Sequence, residues 1–317
     1  MTSDDLQKQL LQGFQEGFNE SESPYLPCED MYHYTSVDGL LGILQPKQMI
    51  FWFSDVNFLN DKREGKEVYR YFEALCKKLK NDNRISDDYY TFLRGLKRNQ
   101  NKMYFPYCYN EEKLRTVLST YDAYVLCFSQ NKDSLPMWNY YSKSGTYQGY
   151  NIEIDVQSFL DDIRKNRSGY NIVSQKVLYN FEDGRLDDLI IQNKKTAATE
   201  PEEAKYNILN ALEEIRYVYK DDHFTHEKET RIVIFLPRKK PPKKFEKEGH
   251  PFEVKFRTSN NYIIPYIECP IPKDCLSSIT IGPLIAQQEA KQSLQKFLKS
   301  RGYNNVEINC SNVPVRY

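Results

Sequence analysis

Strand-like runs come in clusters along this chain, and that pattern limits its possible folds more than any other feature. Met31–Thr35, Met49–Phe53, Tyr121–Ser129, Gln148–Asp155 and Ile172–Tyr179 are rich in the β-branched and aromatic residues that half-buried strands favour. Arg231–Leu236, Phe252–Phe256, Tyr262–Ile267, Leu276–Ile281 and Val306–Asn309 read the same way. Apolar residues at helical spacing predict helices over Arg63–Lys80, Glu202–Lys220 and Ala286–Arg301. A shorter helix, Val37–Leu44, follows a cap at Thr35 or Ser36 and stops before Pro46. Strands and helices do not alternate regularly. The expectation is therefore an α+β fold with a mixed or antiparallel sheet, not a doubly wound parallel one.

The division along the chain follows from breaks in pattern. Residues 1–29 read as an N-terminal leader, with Leu6, Leu10, Leu11 and Phe14 on one stripe and Ser21 to Pro24 ending it. Residues 30–317 read as one α+β catalytic-type domain, with a helical insertion near 62–118. The polar start, Met1 to Asp5, is unlike a signal peptide, and no apolar run approaches the ~20 residues of a membrane span. Seven scattered cysteines with no C-x-x-C argue against a disulfide framework or a zinc knuckle. Reduced thiols in a cytoplasmic protein with no membrane contact are expected. Acidic and basic residues balance at 44 each, so net charge gives no support for general nucleic-acid binding.

Three constellations carry candidate chemistry. His33 lies where the first strand hands over to a helix; a neutral imidazole there donates one hydrogen bond and accepts another, which suits a ribose diol or a satisfied core histidine. Glu227, Glu229 and Arg231 alternate at the start of a strand and so share a face. Such carboxylates can grip a ribose hydroxyl and stabilise an oxocarbenium-like centre, or form an exposed charge ladder. Trp138, Tyr140 and Tyr141 follow Pro136; an aromatic face would hold the cationic nicotinamide ring of NAD, although a core corner explains Trp138 as well. Asn60-Asp61 reads first as turn and cap chemistry, with a place on a pocket rim as the alternative.

Other chemistries are not indicated. His223-Phe-Thr-His226-Glu227 matches no zinc-hydrolase spacing, so no metal is expected. No G-x-G-x-x-G is present, so NAD would not bind in the Rossmann manner. The basic run from Arg238 to Lys244 reads as a solvated hairpin loop or as a nucleic-acid contact.

The ordered set His33–Ser36 with Ile43-Leu44, Phe58–Asp61, Cys127–Ser129 with Met137-Trp138 and Tyr141, Glu227–Arg231, Ile279–Pro283 and Ser311–Arg316 resembles an uncharacterised bacterial family over residues 31 to 316. Its front end resembles the ADP-ribosyltransferases, which begin with a strand bearing His and then Thr and carry a catalytic Glu on a late strand. No clear middle Ser-Thr-Ser or Tyr motif stands between the two. The resemblance implies a split, antiparallel sheet holding NAD in a cleft. It gives His33 the ribose, Tyr141 or Tyr34 the nicotinamide, Glu229 catalysis, and Glu227 the orientation of acceptor or ribose. Thr35, Trp138, Asn60 and Arg231 complete the set expected around NAD. The implied activity is NAD-dependent ADP-ribosylation of a macromolecule (RNA, DNA or protein) by a toxin or phage-defence effector, with an antitoxin as a further partner. The alternatives are an NAD glycohydrolase and a non-catalytic binding module.

Overall fold

A computed structural model describes residues 31–59, 65–108, 114–142, 145–166, 171–179, 184–238, 252–259 and 261–316. The leader, Asn60 and the basic run beyond residue 238 lie outside the described residues.

Strand β1 (Met31–Thr35) passes into helix α1 (Val37–Ile43) through Ser36, whose hydroxyl accepts from the Gly39 N–H at 3.2 Å. A Cβ at Gly39 would lie 2.0 Å from the Thr35 hydroxyl, so this glycine lets the strand end sit directly on the helix. β2 (Met49–Asp55) leads to helices α2 (Glu67–Asn81) and α3 (Asp87–Leu96), the latter capped by Ser86. The insertion is helical only this far. β3 (Lys102–Cys108) and β4 (Leu114–Ser129) form a hairpin where further helix was expected. Pro106 is tolerated because β3 pairs with β4 alone among the described strands.

The chain continues through α4 (Leu135–Tyr141), β5 (Tyr150–Ile154), α5 (Val156–Asn166), β6 (Asn171–Lys176), α6 (Arg185–Thr199) and α7 (Pro201–Ile215). It ends with β7 (Glu229–Pro237), β8 (Val254–Ser259), β9 (Tyr262–Ile271), β10 (Leu276–Ile281), α8 (Gln287–Arg301) and β11 (Glu307–Cys310).

The result is an α+β fold with one open, mostly antiparallel sheet flanked by helices. The main path runs β11-β10-β5-β1-β4-β2-β9-β8, and β10–β11 is the parallel pair. β4 is its hub. One edge of β4 pairs with β7 from Tyr121 to Ser129. Its other edge is shared: Ser129 pairs with Tyr32 of β1, and Val125 and Tyr124 pair with Ser54 and Asp55 of β2. Between these contacts β1 and β2 part, leaving a wedge beside residues 126–128 of β4.

Alternation then decides what each face carries. Phe51, Phe128, Ile152, Ile232 and Ile234 point to the larger apolar core, which α1, α5 and α8 cover. Ala123, Val125, Val233 and Phe235 point the other way. Helices α2, α3, α6 and α7 pack mainly on one another through Phe72, Leu79, Leu93, Ile190 and Leu212. They are tied to the sheet by Glu213, wholly buried, which accepts from the Tyr69 and Tyr121 hydroxyls and from the Asn101 N–H at 3.1 Å. Among the described residues no helix is long and apolar enough to cross a membrane.

Candidate functional site

The buried charges gather where β7 begins. A 3-10 turn, Asp222–Glu227, ends at Lys228 in the left-handed region (φ 43°), and the strand starts at Glu229. Glu227 therefore reaches the cluster from the turn, whereas strand alternation was expected to place it. The segment after β4 fixes that turn: the Ser129 hydroxyl donates to the Glu227 carbonyl at 2.6 Å, and the Asn131 amide donates to the His226 carbonyl at 2.9 Å.

Glu229 is held on every side. Arg231 Nε donates to its Oε1 at 2.8 Å, while an Arg231 terminal nitrogen (2.9 Å) and Lys220 Nζ (3.0 Å) donate to Oε2. Its backbone N–H donates to the Tyr179 hydroxyl at 2.9 Å, and the Cys127 thiol beside it helps lower the pKa of its carboxyl. Burial would raise the Glu229 pKa, but Arg231 and Lys220 outweigh it and hold the group at about 2. Lys220 also reaches Glu227 Oε2 at 2.7 Å. Burial opposes the ammonium form, yet Glu229 and Glu227 keep the Lys220 pKa above its ordinary value. Arg231, only 1% exposed, spends its remaining terminal nitrogen on the Tyr217 carbonyl at 2.8 Å. Two carboxylates and two cations thus make a buried, formally neutral quartet, and removing one member of such a set typically costs ~3–5 kcal/mol.

The quartet is not uniform. Among the described residues, Glu227 Oε1 is met only by the Tyr141 hydroxyl, at 3.5 Å. Burial, then the charges of Glu227 and Glu229, push the Tyr141 pKa well above 10, so it stays a neutral donor. Tyr141 ends α4, where it is half-buried beside the exposed Tyr140. Trp138 is buried, lies edge-on to Tyr34 at 4.8 Å, and donates its indole N–H to Asp133 at 2.7 Å. Asp133 also accepts from the Ser311 hydroxyl at 2.7 Å and the Asn312 N–H at 2.8 Å, so the C-terminal S-x-x-P-x-R stretch straps α4 in place. The Tyr34 hydroxyl donates to the Asn131 carbonyl at 2.7 Å and accepts from the Ser134 N–H at 3.1 Å.

Tyr34, Trp138, Tyr141, Glu227, Glu229 and Arg231 therefore adjoin one another on one face of the sheet. His33 and Thr35 do not join them. Tyr32 pairs with Ser129, and Ser129 with Glu229, so Tyr32 and Glu229 share a face and His33 takes the opposite one. There its ring lies edge-on to Phe51 (5.4 Å) and Phe128 (5.7 Å). The expected shared crevice for imidazole and carboxylates is not what the register gives. Thr35 sits against Gly39.

Sequence reasoning missed Lys220, Tyr179 and Cys127; a lone lysine after a helix carries no local sign of burial. Asp221, Asp222 and His223 offer ligand atoms within 4.8 Å of one another. Their geometry is that of the turn itself, Asp221 accepting from the His223 N–H at 3.1 Å.

Residues 137–232 match a family model described as "Protein of unknown function (DUF2971)". The matched stretch contains Trp138, Tyr141, Lys220, Glu227, Glu229 and Arg231, and it excludes His33. No curated protein and no solved structure matches the chain.

Proposed function

We propose that this protein is an ADP-ribosyltransferase that cleaves the nicotinamide glycosidic bond of NAD and passes the ADP-ribosyl group to a macromolecular acceptor. The observation that carries the reading is the asymmetry of the carboxylate pair: Glu229 is saturated by Arg231 and Lys220, while Glu227 keeps one oxygen that, among the described residues, faces only a tyrosine hydroxyl. This reverses the division of labour that the resemblance implied. Glu229 orients the cluster, and Glu227 acts on substrate.

The chemistry asks for such a group. The C1′–N bond breaks heterolytically and its electron pair leaves with nicotinamide, which departs neutral. Positive charge develops on the ribose, and a fixed carboxylate at the neighbouring hydroxyl stabilises it most at the transition state. The acceptor's nucleophilic atom then bonds C1′ and gives up its proton to water. Lys220 pairs with both carboxylates, and Arg231 and Lys220 keep Glu229 ionised despite burial. Tyr141 supplies an aromatic face for the cationic nicotinamide ring of bound NAD.

NAD labelled in its adenine, incubated with the protein and a bacterial lysate, tests the reading. Label appearing on macromolecules from wild type and absent with Glu227→Gln supports it. Label released only as free ADP-ribose makes the protein a glycohydrolase, and intact NAD rejects both readings.

A further inference from the structure

His33 occupies a place where, among the described strands, the hub strand loses a strand partner on one edge. Beside residues 126–128 of β4, neither β1 nor β2 pairs, because β1 stops pairing at Ser129 and β2 at Val125. His33 Nδ1 lies 3.0 Å from the Cys127 carbonyl, which is the group a neighbouring strand would otherwise satisfy. The ring packs edge-on between Phe51 of β2 and Phe128 of β4, so it also fills the wedge sterically. Cys127 itself points to the opposite face. It pairs with Arg231 in the β4–β7 register, and its thiol shares that face with the Glu229 carboxylate, each shifting the pKa of the other.

We infer that His33 is a positioning residue: its imidazole substitutes for a strand in the wedge between β1 and β2, and by pinning Cys127 it fixes the Glu229–Arg231–Lys220 cluster on the far side of the sheet. This role rests on the proposed function only where activity is read. The hydrogen bond dictates the tautomer, because a carbonyl only accepts; Nδ1 must carry the proton. Burial lowers the pKa of the ring, which favours the neutral form with Nδ1–H and a bare Nε2.

Geometry predicts which substitutions preserve the role. The amide nitrogen of asparagine falls near the place of Nδ1, whereas that of glutamine falls near Nε2. A strand substitute working through Nδ1 is rescued by asparagine. A ribose ligand working through Nε2 is rescued by glutamine.

The test uses the full-length chain and three variants, His33→Ala, His33→Asn and His33→Gln. Alkylation of Cys127 is followed by peptide mass spectrometry, with Cys76, buried in the helical layer, as the reference. Burial and Glu229 raise the Cys127 pKa well above 9, so the wild-type thiol reacts slowly. The expected result is a rise of at least fivefold in the Cys127 rate, relative to Cys76, in His33→Ala and His33→Gln, with His33→Asn near wild type. Nitrogen-15 NMR of the wild-type ring should report the Nδ1–H tautomer. In the activity arm, His33→Ala lowers kcat and leaves KM for NAD unchanged. An unchanged Cys127 rate in His33→Ala, an asparagine variant no better than alanine, or an Nε2–H ring overturns the inference. If wild type releases no nicotinamide, the proposed function falls while the thiol and tautomer arms still decide this one.

Discussion

His33 and Glu229 flank the same residue from opposite faces of the sheet: the imidazole donates to the Cys127 carbonyl at 3.0 Å, and the Glu229 carboxylate lies on the face that carries the Cys127 thiol. A strand backbone links the two polar groups that the sequence singled out. The two residues, nearly two hundred positions apart, are joined through one strand residue without sharing a cleft.

The two carboxylates should separate activity from stability. Glu227→Gln removes a charge held by one lysine, which keeps Glu229 as a partner, and preserves the shape of the side chain; we expect at least ~100-fold loss of NAD cleavage with a smaller loss of stability than in Glu229→Gln. Glu229→Gln leaves Arg231 buried without its bidentate partner and should destabilise the fold by ~3–5 kcal/mol. Urea unfolding beside nicotinamide release distinguishes the two outcomes.

Acid should act on the same cluster. The Glu229 pKa of about 2 in the folded chain lies below the ~4.3 of an unfolded glutamate, so the unfolded state binds the proton first. Its stabilising contribution is complete above pH ~5 and is lost as pH falls toward 2. Urea midpoints measured from pH 6 down to 2 should drop through that window, and Glu229→Gln should flatten the drop.

Tyr141 offers a separable role in binding. Tyr141→Phe keeps the ring and removes the hydroxyl facing Glu227, whereas Tyr141→Ala removes both. If the ring stacks on nicotinamide, the alanine variant raises KM for NAD about 5- to 10-fold more than phenylalanine does, equivalent to ~1 kcal/mol. Steady-state nicotinamide release by each variant measures it.

Gly282 tests the close approach of backbones behind the I-x-I-G-P motif. A Cβ there would stand 2.9 Å from the carbonyls of Tyr147 and Gly149, and the Gly282 N–H donates to that Gly149 carbonyl at 2.9 Å. Backbone cannot rotate aside as a side chain can. Gly282→Ala should therefore cost ~1–3 kcal/mol in urea unfolding.

Much of this architecture was legible in the sequence. The period-two runs of β1, β2 and β7 and the capped α1 carry their pattern in adjacent residues. What escaped depends on distant partners. Met103 and Phe105 alternate with Lys102 and Tyr104, but Pro106 interrupts the run, and β3 is completed by its pairing with β4. In α6 the buried Leu186 and Ile190 sit among charged residues and leave a weak helical stripe. At the site, Glu229 and Arg231 were legible from alternation, and Tyr141 from its aromatic run. Lys220 was not, since its burial is created by Glu227 and Glu229 closing over it. The face taken by His33 was also hidden, because it follows from the register of Tyr32 with Ser129.

The most direct measurement is the rate of nicotinamide release from NAD by purified wild type and by Glu227→Gln, at a temperature where both are folded. The account predicts steady release by wild type and a rate at least ~100-fold lower in the variant. Equal rates in the two proteins, or no release by either with lysate present, would contradict it.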